Sequence, residues 1–153
     1  MTSRRLLLLS SAPTLLMLAA ASDSQLRPGL WEVVNTPGIA TLDGKELDDL
    51  PLGPIKTQQI CLASGDAADP ARFFARDTAA DCRIVSADLA GGKVIIKGAC
   101  PNPDEGNEGA LQLSGRFDAT SYQLDFATRA EDFQGVMTFS GKLTGKRIGE
   151  CAK

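Results

Sequence analysis

Four cysteines, Cys61, Cys82, Cys100 and Cys151, are the residues whose type and number most directly imply chemistry. Four thiolates can hold a structural zinc ion, or they can close two disulfides. Zinc sites of that kind bring their ligands in close C-x₂₋₄-C pairs, and no two cysteines here are so close. The spacing favours disulfides, and four cysteines allow three connectivities.

The second informative inventory is an absence. The chain has no histidine. That removes imidazole acid–base catalysis, the Ser-His-Asp and Cys-His systems, and the commonest metal ligand. Carboxylates remain, and a suitably spaced pair can cleave glycosidic bonds. Most of them fall in loops or at outward strand positions. Aromatic platforms for a sugar are few, with one Trp, one Tyr and six Phe. No S-x-x-K motif is present. Two acidic clusters stand out: Asp43, Glu46, Asp48 and Asp49, and the loop around Asp104, Glu105, Asn107 and Glu108. The second has a calcium-loop composition but not the EF-hand spacing, so both read as solvated loops. No cofactor and no metal is expected.

Residues 1–21 read as a signal peptide. Arg4 and Arg5 form a positive start, Leu6 to Leu18 an interrupted apolar stretch, and Ala19-Ala20-Ala21 a small-residue cleavage pattern. The apolar run is short for a bilayer span. Residues 22–153 then form one disulfide-containing β domain, periplasmic or secreted, with no stable membrane insertion after cleavage. An oxidising destination agrees with paired cysteines. The formal charge is −3, and removing the two arginines takes it to −5. An acidic domain without a basic face does not bind nucleic acid.

The elements that must position these residues are mostly strands. Pro28-Gly29 is a turn signal, and Leu30 to Val34 a first strand carrying Trp31. Ile39 to Leu42 continues it after a Pro37-Gly38 break, and Asp43-Gly44 is a hairpin turn. Ile55 to Leu62 is a further strand. Asp69-Pro70 is a helix start, with Asp69 as N-cap and Pro70 in the first turn. The helix is short, and Phe73 and Phe74 give it an apolar side that must dock on the sheet. Asp81 to Cys100 is a hairpin about Gly91-Gly92. Leu111 to Phe117, Tyr122 to Phe126 and Met137 to Leu143 alternate apolar and polar residues, as half-buried antiparallel strands do. Gly115 and Gly141 sit on the inward side, where a glycine marks a bend or a close backbone approach. The fold class is mainly β: a curved antiparallel meander of about seven strands, open or closed into a barrel, with one short helix.

Certain residues resemble one family. Pro28-Gly29-Leu30-Trp31-Glu32, Cys61-Leu62, the Cys82 and Cys100 pair, and Arg147-Ile148-Gly149 followed by Cys151 are similar to the bacterial exported domain-of-unknown-function 3617 family. The similarity covers nearly the whole mature chain. Ala63-Ser64-Gly65 departs from that family's usual Thr-Pro-Glu start to the helix. The resemblance implies export and four cysteines in this order. It implies no known activity and no functional residues.

The hairpin bears on the disulfide connectivity. A three-residue loop sets Cys82 opposite Cys100 but pairs Leu89 and Val85 with lysines. A two-residue loop pairs Leu89 with Val94, Ala87 with Ile96 and Val85 with Gly98, and keeps one apolar face. In that register Cys82 and Cys100 point to opposite sides of the sheet unless a bulge or frayed end intervenes. The expected pairs are therefore Cys61–Cys82 and Cys100–Cys151.

The function this supports is a non-enzymatic module that binds a small apolar ligand or an envelope protein. The alternative is a carboxylate-based hydrolase acting on an envelope substrate. Trp31, Leu111, Leu113, Phe117, Tyr122, Leu124, Phe126, Met137 and Phe139 form the inward set, which lines a pocket or fills a core.

Overall fold

The computed structural model describes residues 25–50, 52–76, 78, 81–102 and 107–152. The expected signal peptide lies outside them, as do Asp104 and Glu105. The described residues form strands β1 (Gly29–Leu42), β2 (Lys45–Glu46) and β3 (Lys56–Leu62), then helices α1 (Ser64–Ala67) and α2 (Pro70–Arg76), then strands β4 (Arg83–Asp88), β5 (Lys93–Asn102), β6 (Asn107–Phe117), β7 (Ser121–Asp132) and β8 (Gly135–Gly149).

All strand pairs are antiparallel, in one sheet ordered β2-β1-β8-β7-β6-β5-β4, with β3 also paired to β1. β4 to β8 form a meander, and the long first strand is laid against the last. The sheet does not close into a barrel, because β4 ends it on one side and β2 and β3 end it on the other. β1 runs through Pro37-Gly38 as one strand, and its register against β8 shifts between Pro37 and Ala40. A proline cannot donate to the ladder, so the irregularity falls where the donor is missing.

The alternation in β6, β7 and β8 sets one buried face. Leu113 pairs with Phe126, and Leu124 with Leu143. Gly141 and Gly145 share this face because aromatic rings lie over them. A Cβ on Gly141 would meet the Phe126 ring at 2.6 Å, and one on Gly145 the Tyr122 ring at 2.1 Å. These two glycines are thus seats for cross-strand aromatics, whereas a Cβ on Gly115 would meet the Gln123 carbonyl oxygen at 2.1 Å.

One helix covers this face at the end holding Trp31. Asp69 Oδ1 accepts the Arg72 amide at 3.2 Å, and Pro70 opens the helix where its missing N–H costs nothing. Phe74 is fully buried, 5.0 Å from the Tyr122 ring centre and 5.5 Å from that of Phe117. Phe73 packs edge-on to Trp31 and Tyr122. The single turn α1 precedes it and was not anticipated from the sequence.

The central hairpin corrects the expected disulfides. The bonds are Cys61–Cys151 and Cys82–Cys100. Next to the turn the hairpin keeps the two-residue register, with Ala87 opposite Ile96 and Asp88 opposite Ile95. Between Ser86 and Ile84 the register slips by one residue, leaving Val85 unpaired as a bulge. Ile84 then lies opposite Gly98 and Arg83 opposite Ala99. Continued one residue further, that register sets Cys82 beside Cys100, and their Cα atoms are 4.0 Å apart. Both cysteines pack against the core. The other bond follows from the closing of β8 on β1. Leu30 has Gly149 on one side and Cys61 on the other. The chain leaving Gly149 passes the start of β1 and brings Cys151 to Cys61, with the Cα atoms 5.5 Å apart.

Candidate functional site

The inward set divides by place. Trp31, Leu111, Leu113, Phe117, Tyr122, Leu124 and Phe126 are buried, and Phe139 is partly buried against the Phe126 ring. Met137 is 37% exposed and stands outside the core. Trp31 is fully buried, stacked on Tyr122 at 5.8 Å, and its indole Nε1 donates to the Arg27 carbonyl at 3.0 Å. A tryptophan with no exposed surface, enclosed by its own chain, is a core anchor and offers no free ring to a sugar or base. Where an apolar ligand would sit, Phe73 and Phe74 already sit.

The residues of the two terminal motifs assemble into one structure. Arg147 lies opposite Trp31 in the ladder. Its Nε donates to the Pro28 carbonyl at 2.8 Å, and its Nη2 pairs with Glu150. Gly29 has φ of 139°, and a Cβ there would meet the Gly149 carbonyl oxygen at 2.5 Å and the Arg147 guanidinium at 2.6 Å. Only glycine leaves room for that guanidinium and that carbonyl together. The Cys61–Cys151 bond locks the same corner. The opening and closing motifs therefore hold the chain ends together.

The acidic residues also have structural tasks. Asp43 Oδ1 accepts the Val136 amide at 2.9 Å, tying the β1–β2 turn to β8. Asp118 caps the β6–β7 turn. Its Oδ1 accepts the amides of Thr120 at 2.7 Å and Ser121 at 2.9 Å, while Oδ2 accepts the Ser121 hydroxyl at 2.9 Å. The Thr120 amide is the main cause that holds the Asp118 carboxyl below the usual aspartate range. Among the described residues no three acidic or thiol groups gather closely enough to hold a metal ion.

Two surface clefts differ in chemistry. One, of about 400 Å³, lies on the polar face between Gln112, Ser114, Asp125, Ser140 and Lys142, with Ile39 at its rim. The other, of about 650 Å³, lies between α2 and the edge strand β4, lined by Asp69, Arg72, Arg76, Cys82, Arg83 and Ile84. Three guanidinium groups face it against one carboxylate. Arg83 is paired with Glu108 at 2.9 Å. Among the described residues, Arg72 and Arg76 have no carboxylate partner within salt-bridge distance. Arg76 lies over the Phe73 ring, 5.9 Å from its centre. Residue type alone does not set Arg72 and Arg76 apart from the other basic residues of the chain. Their i, i+4 spacing was legible, but their convergence with Arg83 depends on how α2 docks.

Among the described residues no helix is long and apolar enough to cross a membrane. No curated protein and no solved structure matches the chain. One family model matches residues 26–151, from Leu26, just ahead of the strand that carries Trp31, to Cys151, which bonds Cys61. Its span coincides with the disulfide-locked sheet, and the chain belongs to that family, DUF3617, whose description is "protein of unknown function".

Proposed function

We propose that the protein is an exported, non-enzymatic interaction module that recognises a partner protein of the envelope on its surface. The observation that carries this is the filling of the apolar face by α2. Phe73 and Phe74 occupy the space an enclosed ligand would need, packed on Trp31, Phe117 and Tyr122. Recognition is therefore left to the sheet edges and surface clefts. Two disulfides suit an oxidising compartment. The chain offers no histidine, and the two carboxylates with the most evident roles, Asp43 and Asp118, are engaged in holding turns.

Two measurements test the reading. Native mass spectrometry of protein isolated from its own envelope is expected to show the apo mass. A panel of glycosidase, esterase and peptidase substrates is expected to show no turnover. A stoichiometric lipid, or a hydrolysis rate abolished by a single Asp→Asn or Glu→Gln change, would replace this reading with a carrier or a hydrolase.

A further inference from the structure

We infer that the cleft between α2 and β4 receives an acidic, extended segment of a partner protein, which pairs with the free edge of β4 and sets its carboxylates against Arg72 and Arg76. The inference rests on the interaction-module reading and gives that partner a chemistry.

Three observations converge here. First, among the described residues β4 pairs only with β5, so its outer edge presents unpaired main-chain groups. Such an edge is a template for an added strand. Second, this edge carries large apolar side chains, with Val85 58% and Ile84 37% exposed. The opposite edge, β3, presents Lys56, Thr57, Gln58 and Gln59 over its first residues. Third, the lining of the cleft is basic although the chain as a whole is acidic. The chain carries −3 overall, whereas the cleft gathers Arg72, Arg76 and Arg83 against Asp69, with Glu108 on Arg83.

The charges decide what kind of strand fits. The Asp69 side chain is engaged at the start of α2, and the Arg76 guanidinium lies over the Phe73 ring on the side that faces the cleft. A planar guanidinium binds a carboxylate through two parallel hydrogen bonds. The bulge at Val85, with Arg83 and Asp88 at the two ends of β4, disfavours indiscriminate pairing. A partner strand gains only if its charges match, and acidic residues at alternate positions match Arg72 and Arg76.

The test uses the full disulfide-bonded protein and a fluorescein-labelled peptide of alternating glutamate and valine, twelve residues long. Anisotropy titration at low salt is expected to show saturable binding, at least tenfold tighter than for the lysine–valine counterpart or for a glutamate–glycine–serine peptide of equal charge. The exposed pair change Arg72→Glu with Arg76→Glu is expected to abolish it while the near-ultraviolet circular dichroism of the folded protein persists. Hydrogen exchange is expected to show new protection at Arg83–Asp88. Equal binding of the glutamate–glycine–serine peptide would overturn the strand pairing. So would inorganic phosphate displacing the peptide without any change in β4 protection, which would mark a simple anion site. A concentration-dependent dimer in sedimentation that occludes β4 would give the edge to a second copy of this chain. These outcomes leave the mass and turnover results untouched, so a failure here is distinct from a failure of the interaction-module reading.

Discussion

Arg147 Nε donates to the main-chain carbonyl of Pro28 at 2.8 Å, joining the last strand of the sheet to the residue before the first. A carbonyl ahead of a strand has no ladder partner of its own, and the guanidinium supplies one. The same side chain lies where a Cβ on Gly29 would be, so the contact and the glycine are one device. Arg147→Lys is expected to cost about 1–2 kcal/mol, because an ammonium does not reproduce the fork that reaches Pro28 and Glu150 together. Gly29→Ala is expected to cost at least about 2 kcal/mol, through strained backbone and the collision with Gly149. Urea denaturation of the oxidised proteins measures both. A wild-type midpoint for Gly29→Ala would remove the steric account.

Peptide mapping under non-reducing conditions is expected to return Cys61–Cys151 and Cys82–Cys100 peptides and no others. The bonds close loops of very different length, with sequence separations of 90 and 18. On loop entropy, losing the longer one should cost about 4.5 kcal/mol and the shorter about 3 kcal/mol. Paired Cys→Ser variants, compared at equal pH by denaturant titration, check the order. A larger loss from Cys82 and Cys100 would show that the bulged hairpin itself depends on its bond.

Phe74 joins the helix to the sheet. It is fully buried between Phe117 and Tyr122, and α2 has only seven residues with which to hold itself. Phe74→Ala is expected to cost about 3–5 kcal/mol. Near-ultraviolet circular dichroism should lose part of the Trp31 and Tyr122 signal while the far-ultraviolet strand signal persists. Retention of both would show that α2 is not seated by this side chain.

Asp118 gives a pH dependence of known sign. Its folded-state pKa is lowered, chiefly by the Thr120 amide. The stabilisation is therefore complete above the ordinary aspartate range and is lost as pH falls through the lowered folded value. The group is largely exposed, so the contribution is small. Asp118→Ala is expected to cost roughly 1 kcal/mol at neutral pH after solvent screening. The gap between the variant and the parent should close at the acid end of a denaturation series. A gap that does not change with pH would mean the carboxylate charge is immaterial to the turn.

Much of the fold was legible because strand periodicity is local. Alternation over Leu111–Phe117, Tyr122–Phe126 and the Gly141–Leu143 end of the last strand reports one buried face wherever those strands finally lie, and it fails at Met137, which is exposed. Asp69-Pro70 likewise marks its own helix start. The inward Gly141 announced a close approach, which proved to be the Phe126 ring. The candidate cleft was less legible. Arg72 and Arg76 read as ordinary exposed helix residues until α2 is docked beside Arg83.

What the sequence by itself determined was seven of the eight strands, the short capped helix, the aromatic side of that helix and the exclusion of histidine chemistry. Those follow from residue type and nearest spacing alone. The pairing of the cysteines was decided only in three dimensions. A single unpaired residue, Val85, shifts the hairpin between its two registers and brings Cys82 to Cys100. Cys61 meets Cys151 because β8 returns to the far side of β1, a contact between residues 90 apart. Neither outcome is encoded in neighbouring residues, since each is the sum of the ladder choices made between them.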